Sequence, residues 1–167
     1  VDSNSFSIKT GVRTFEAAAW LRKAGADTTE VKRFFQMEIS TFQIRADAIA
    51  RAEYSENGVA YAITDGYSAD AQVINAQVAD QLLNVKGVKA SFAAGRNNAN
   101  KTVISGRSLG GINVQVIMEN FAGGGHLNSA GAQVDDSPEN VISQVKEVVD
   151  KYLDEQNKMK EKEEEDQ

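Results

Sequence analysis

The sequence has no cysteine, one proline, one tryptophan and one histidine in 167 residues. Without cysteine there is no disulfide framework and no thiolate metal site, which suits a reducing compartment. No apolar run approaches the roughly 20 residues that span a bilayer, and no signal peptide is visible. Basic residues are outnumbered, and the net charge of -6 argues against strong non-specific binding to duplex nucleic acid. Residues 151–167 hold four lysines and seven acids. The remainder of the chain is also acidic, so no basic domain hides behind the tail. A single histidine leaves little with which to build the His and carboxylate cluster of a metal hydrolase. A Ser-His-Asp triad through His126 is arithmetically open, but no nucleophile elbow accompanies it. The first residue is Val1 rather than methionine, so a longer or processed parent is expected.

What is present has ordinary apolar content, enough for one core. Residues 1–13 are small and polar and are expected to form a loop. Thr14 offers a cap for a helix over 15–23, which Gly25 ends. Asp27, Thr28 and Thr29 offer N-cap oxygens for a long helix over 30–51. That helix carries two apolar stripes, Val31, Phe34, Phe35, Ile39, Phe42 and Met37, Ile44, Ala48, as expected of a helix packed on both sides or deep in one core. Asn57-Gly58 between residues 53–56 and 59–64 predicts a tight hairpin. Ala71, Ile74, Val78 and Leu82 give one helical face over 69–83. Val88, Ala90, Phe92 and Ala94 alternate as in a strand, an asparagine-rich turn follows at 97–100, and 101–107 returns. Asn113 caps a short helix bearing Val114, Ile117, Met118 and Phe121. Residues 130–134 form a last strand, and Ser137-Pro138 starts a helix. From Asn157 the chain is charged and expected to fray. The fold class expected is α/β, with a helical piece of about fifty residues before a compact domain of about a hundred.

The chemistry concentrates in two segments. Gly123, Gly124 and Gly125 precede His126. Successive bare amides can make an anion nest, or the glycines can serve as a helix C-cap and tight turn. An imidazole beside them can bond a phosphate or sugar hydroxyl, stack on a base, or move a proton. Upstream, Arg107 stands between Ser105-Gly106 and Ser108. Its guanidinium can grip a phosphate in two places, with the Ser105 and Ser108 hydroxyls assisting; an exposed strand-end arginine is the plainer reading. Asn113 can cap or bind, and Asp2 can cap a turn or hold a metal.

Gly123-Gly124-Gly125-His126 with Asn128-Ser129-Ala130-Gly131, together with Ser105-Gly106-Arg107-Ser108, resembles the DHH-associated domain of the DHH phosphoesterases. Residues 1–20 resemble the last motif of the catalytic DHH lobe, and Ser-Leu-Gly-Gly-Ile-Asn-Val-Gln at 108–115 is most similar to the GdpP-type cyclic-di-AMP phosphodiesterases. The resemblance implies a mixed β-sheet flanked by helices. It divides the chain into 1–50 (end of the DHH lobe and inter-lobe helix), 51–156 (the DHH-associated, substrate-binding domain) and 157–167 (a charged disordered tail). Ser105, Arg107, Ser108, Gly123, Gly124, Gly125 and His126 would contact substrate, and Asp2 would be a manganese ligand in the parent. The Asp-His-His segment is not in this chain. The piece is therefore expected to hold no metal, to hydrolyse nothing alone, and to work with a missing DHH lobe on a cyclic dinucleotide or short oligonucleotide. It would be the cytoplasmic part of a membrane-anchored bacterial protein, and a homodimer is open. The rival is a non-catalytic RNA- or tRNA-binding or dimerising module, which the acidic charge disfavours.

Overall fold

The computed structural model describes Phe6 and residues 10–165. Two compact units divide at Glu38/Ile39. The first holds α1 (Val12–Lys23) and α2 (Thr28–Phe34), neither with a buried residue. α1 begins two residues before Thr14, whose hydroxyl accepts the Gly11 amide. Asp27 caps α2 by accepting from the Thr29 amide at 2.7 Å.

The single long helix expected over 30–51 is two helices. After α2 the amides of Phe35 and Gln36 bond only three residues back, to Lys32 and Arg33. That tightening ends the helix without any glycine or proline. The chain restarts as α3 (Ile39–Ala50), which belongs to the second unit and packs on its sheet. The division between the two units falls inside the segment expected as one helix over 30–51. Of the two apolar stripes only Ala48 is buried; Phe34, Phe35, Ile39 and Phe42 are exposed.

The second unit is a six-stranded mixed sheet in the order β1-β2-β3-β4-β6-β5. β1 (Glu53–Tyr54) turns through Gly58, at φ 80, into β2 (Val59–Ser68). α4 (Ala71–Leu82) then crosses to β3 (Ala90–Asn97), parallel to β2. β4 (Thr102–Ser108), β5 (Gly124–His126) and β6 (Ser129–Val134) complete it with antiparallel pairings. α5 (Val114–Glu119) and α6 (Pro138–Glu165) supply the remaining helices.

Strand alternation sends side chains to two layers. Tyr61, Phe92, Ala94 and Ile104 face α5 and α6, where Val114, Ile117, Met118, Val141, Val145 and Val149 close the larger core. Ala60, Ala62 and Ala93 face Ile74, Val78 and Leu82 of α4, with Ala48 of α3. The second layer also holds a buried polar knot. Thr64 donates to Asn75 Oδ1 at 2.7 Å, and Asn75 Nδ2 donates to the Val103 carbonyl at 2.8 Å. Asn75 is fully buried, so these bonds satisfy an amide that would otherwise be costly there. They also fix α4 against β4.

α6 runs through the charged stretch to Glu165, where a frayed tail was expected. Lysine, glutamate and glutamine are good helix formers, and Asp154/Lys158 and Lys158/Glu161 stand at supportive spacings.

Candidate functional site

The cross-strand register brings the expected residues together. Arg107 pairs with Ser129, which pairs with His126; Ser105 pairs with Gly131, which pairs with Gly124; Val103 pairs with Gln133. Residues directly opposite one another on antiparallel strands share a face. Ser105, Arg107, Ser129 and His126 therefore stand on one face, with Arg107 and His126 two strand spacings, about 10 Å, apart.

That face is only partly covered. A helix is about 10 Å across and strands lie about 4.8 Å apart, so one helix shields little more than two strands. α4 lies mainly over β3 and β4 and touches β2 less, so among the described elements of this unit β6 and β5 lie beyond it on this face. The uncovered strip is a cleft of about 380 Å³. Its wall is Gln72 and Ala76 of α4; its floor is Val103, Ser105, Arg107, Ser129, Gly131 and Gln133; its rim is Gly124 and Gly125.

Arg107 is held in place. Its Nε donates to Asp80 Oδ1 at 3.0 Å and its Nη1 to the Gly106 carbonyl at 2.9 Å. Its side chain is 18% exposed. Nη2 makes no bond to another described residue, so the guanidinium keeps donors for an anion. Ser105 is 4% exposed, and its hydroxyl meets no partner among the described residues although it lines the cleft. The hydroxyl can therefore bond water or another molecule in the cleft.

Ser108 is not brought to this surface. It lies on the opposite face, buried, where its hydroxyl accepts from the amides of Gly110 and Ile112. Two residues of strand separate one face from the same face again, so Ser105 and Arg107 point together, while Ser108 points with Gly106 towards α5. Asn113 caps α5, accepting from Gln115 at 3.1 Å.

The glycine run serves two purposes. Gly123 N–H bonds the Met118 carbonyl and Ala122 N–H that of Glu119. With Ala122 at φ 54, this is a Schellman C-cap for α5. The chain then enters β5, the outermost strand, which was not expected from the sequence. A Cβ on Gly123 would meet the Gly131 carbonyl at 2.3 Å, and one on Gly125 the Ser129 carbonyl at 2.4 Å. Bare backbone at these two positions is therefore required for β5 to lie against β6. Gly124 has open space instead. His126 is exposed at the end of this edge strand, beyond the residues that line the cleft.

Sequence reasoning passed over Gln72 and Asp80; Ser129 stood in the quoted motif without being assigned a contact, and Gln133 was not assigned one either. Gln72, Ala76 and Asp80 recur every four residues, which is a helix stripe; only the strand beside it turns that stripe into a wall. Asp2 lies outside the described residues. Among the described residues no three His, Asp or Glu side chains gather to hold a cation. The donors described here do not fit a manganese centre.

This three-layer domain falls in a known family: the model of the DHHA1 domain matches residues 56–155, and the chain belongs to that family. Its relatives include the cyclic-di-AMP phosphodiesterases GdpP of Geobacillus thermodenitrificans, 46% identical over 81% of this chain, and GdpP of Bacillus subtilis, 40% identical over 92%. The cyclic-di-AMP phosphodiesterase PdeA of Listeria monocytogenes is 44% identical over 81%. The chain covers 21%, 24% and 21% of these three relatives respectively. An exopolyphosphatase-related protein from Bacteroides fragilis shares the fold, with a TM-score of 0.76 over 90% of this chain and 47% of that one, at 17% identity. None of the described helices is long and apolar enough to cross a membrane.

Proposed function

We propose that this chain is the substrate-binding lobe of a cyclic-di-AMP phosphodiesterase. A phosphate of the dinucleotide sits on Arg107, with Ser105 and Ser129 bonding its oxygens, and His126 and the Gly124–Gly125 backbone close over it from the edge strand. The observation that carries this is the placement of Arg107, Ser105 and Ser129 on one face of a cleft whose own groups leave donors unspent. A charge-assisted, two-point grip of this kind suits a phosphodiester better than a neutral ligand. The hydrolytic centre, with the manganese that the resemblance implies, belongs to a DHH lobe of a larger membrane-anchored protein. This chain binds and orients; alone it turns nothing over.

Calorimetric titration of the chain with cyclic di-AMP, the linear dinucleotide pApA and tRNA tests the reading. Preference for the dinucleotides, lost in Arg107→Ala, supports it. Preference for tRNA moves the chain to a nucleic-acid-binding module, and manganese-dependent turnover by this chain contradicts its inactivity.

A further inference from the structure

The cleft has two chemically different ends. At one end are the groups of the Arg107 row, Arg107 and Ser129, with Asp80 behind them. Four residues back along β4 is the Val103 row, where Gln133 stands opposite Val103 on the same face. At about 3.3 Å per residue the two rows are about 13 Å apart. The helix wall repeats this polarity. Gln72 and Asp80 are eight residues apart on α4, about 12 Å at 1.5 Å per residue. Asp80 is bonded to Arg107 at one end, and Asn75, close to Gln72 in the helix, is bonded to the Val103 carbonyl at the other. Gln72 and Gln133 thus both stand at the Val103 end, and both line the cleft. Neither amide has a hydrogen-bond partner among the described residues. Between the ends the lining is small: Ala76, Ser105 and Gly131.

We propose that Gln72 and Gln133 form a base-reading end that selects adenine over guanine. This deepens the phosphate-binding reading above and rests on it. A nucleotide anchored by its phosphate at Arg107 extends its base along the cleft by roughly the separation of the two ends. The small middle admits the sugar. A carboxamide offers a donor and an acceptor side by side, which complements the N6 amino group and ring nitrogen of adenine. The oxygen and nitrogen acceptors on the corresponding edge of guanine call instead for a two-donor arginine or lysine. Arg107, the arginine lining the cleft, is occupied at the opposite end.

The test is the ratio of affinities of the whole chain for pApA and pGpG, by calorimetry, in wild type, Gln72→Ala, Gln133→Ala and Arg107→Ala. The expected result is a wild-type preference for pApA of about tenfold. Either glutamine variant should pull that ratio towards one, while Arg107→Ala weakens both ligands and leaves the ratio alone. Both glutamines are exposed, so equal thermal midpoints should accompany these changes. A ratio near one in wild type, or an unchanged ratio in both glutamine variants, overturns the base-reading assignment while an Arg107 effect keeps the phosphate reading. No loss of affinity in Arg107→Ala, or no binding of either dinucleotide at about millimolar concentration, overturns both readings.

Discussion

Asp80 would act in two opposed ways on the proposed anion site. Its carboxylate orients Arg107 through a 3.0 Å bond to Nε, yet it also places a negative charge near the position a phosphate would take. The Asp80 side chain is 45% exposed, so the pair itself adds little to stability, on the order of 1 kcal/mol or less. Removing the orientation and removing the charge are separable. Asp80→Ala frees the guanidinium and should weaken pApA binding about three- to tenfold. Asp80→Asn keeps an acceptor for Nε and deletes the charge, so it should bind as tightly as wild type or tighter. The same titrations at low and high salt check this, since the charge effect fades with ionic strength. Ala122 is a second single-residue test. It occupies the left-handed position of the α5 C-cap at φ 54, where glycine suffers no Cβ penalty. Ala122→Gly should raise the urea midpoint, by roughly 0.5–1 kcal/mol in unfolding free energy.

At the scale of elements, the contact of β2, β3 and α4 depends on one missing side chain. A Cβ on Gly95 would lie 1.9 Å from Thr64 Oγ1 and 3.1 Å from Asn75 Oδ1. Gly95→Ala must break the Thr64–Asn75 bond or push α4 outward, at about 2–4 kcal/mol; urea denaturation measures it. The start of α6 gives a pH signature. Asp136 accepts from the Ser137 amide at 2.7 Å and from the side chains of Asn140 and Gln144 at 3.0 Å. The Asn140 bond, then the Ser137 amide, hold its carboxyl below the usual aspartate range, helped by Gln144 and the charge of Arg96. A depressed carboxyl stabilises the fold above the unfolded-state pKa, near 4, and that contribution is lost as pH falls through the lower folded value. Wild type should therefore exceed Asp136→Ala in urea midpoint at pH 7, with the gap closing as the pH falls below the unfolded-state pKa near 4 and through the lower folded one.

Which elements the sequence disclosed follows from what each is made of. The apolar face of α4 was legible because Ala71, Ile74, Val78 and Leu82 repeat with the helix and are all buried. The hairpin at Asn57-Gly58 was legible because glycine supplies the positive φ. The break between α2 and α3 had no such marker: it falls in Phe35-Gln36-Met37-Glu38, without glycine or proline. β5 had no marker either, since two glycines and a histidine carry no alternation. Arg107, Ser105 and His126 were found as chemistry, and their common face follows from register. Ser108 was grouped with Arg107 through the shared motif, and alternation places its hydroxyl on the other face. Gln72, Asp80 and Gln133 were hidden because only the lateral placement of α4 on the sheet makes them neighbours of the cleft.

Within the second unit, the order β1-β2-β3-β4-β6-β5 lets α3 and α4 cover β2, β3 and β4 on one face, and no described helix of that unit covers β6 and β5 there. The cleft is a by-product of covering six strands with too few helices on one side. Its surface there consists of Ala76, Ser105, Gly124 and Gly131 beside the polar anchors. These are already among the smallest side chains a protein can use. Hereditary variation at the four positions has one direction available, towards bulk, so the hollow can be silted up but hardly dug deeper. A saturation library scored for pApA capture should show losses that grow with added volume at each of them. Gly131 should be the least forgiving, because even a methyl group would sit 2.8 Å from the Ile104 carbonyl. Gly124, whose Cβ direction is empty, should accept alanine.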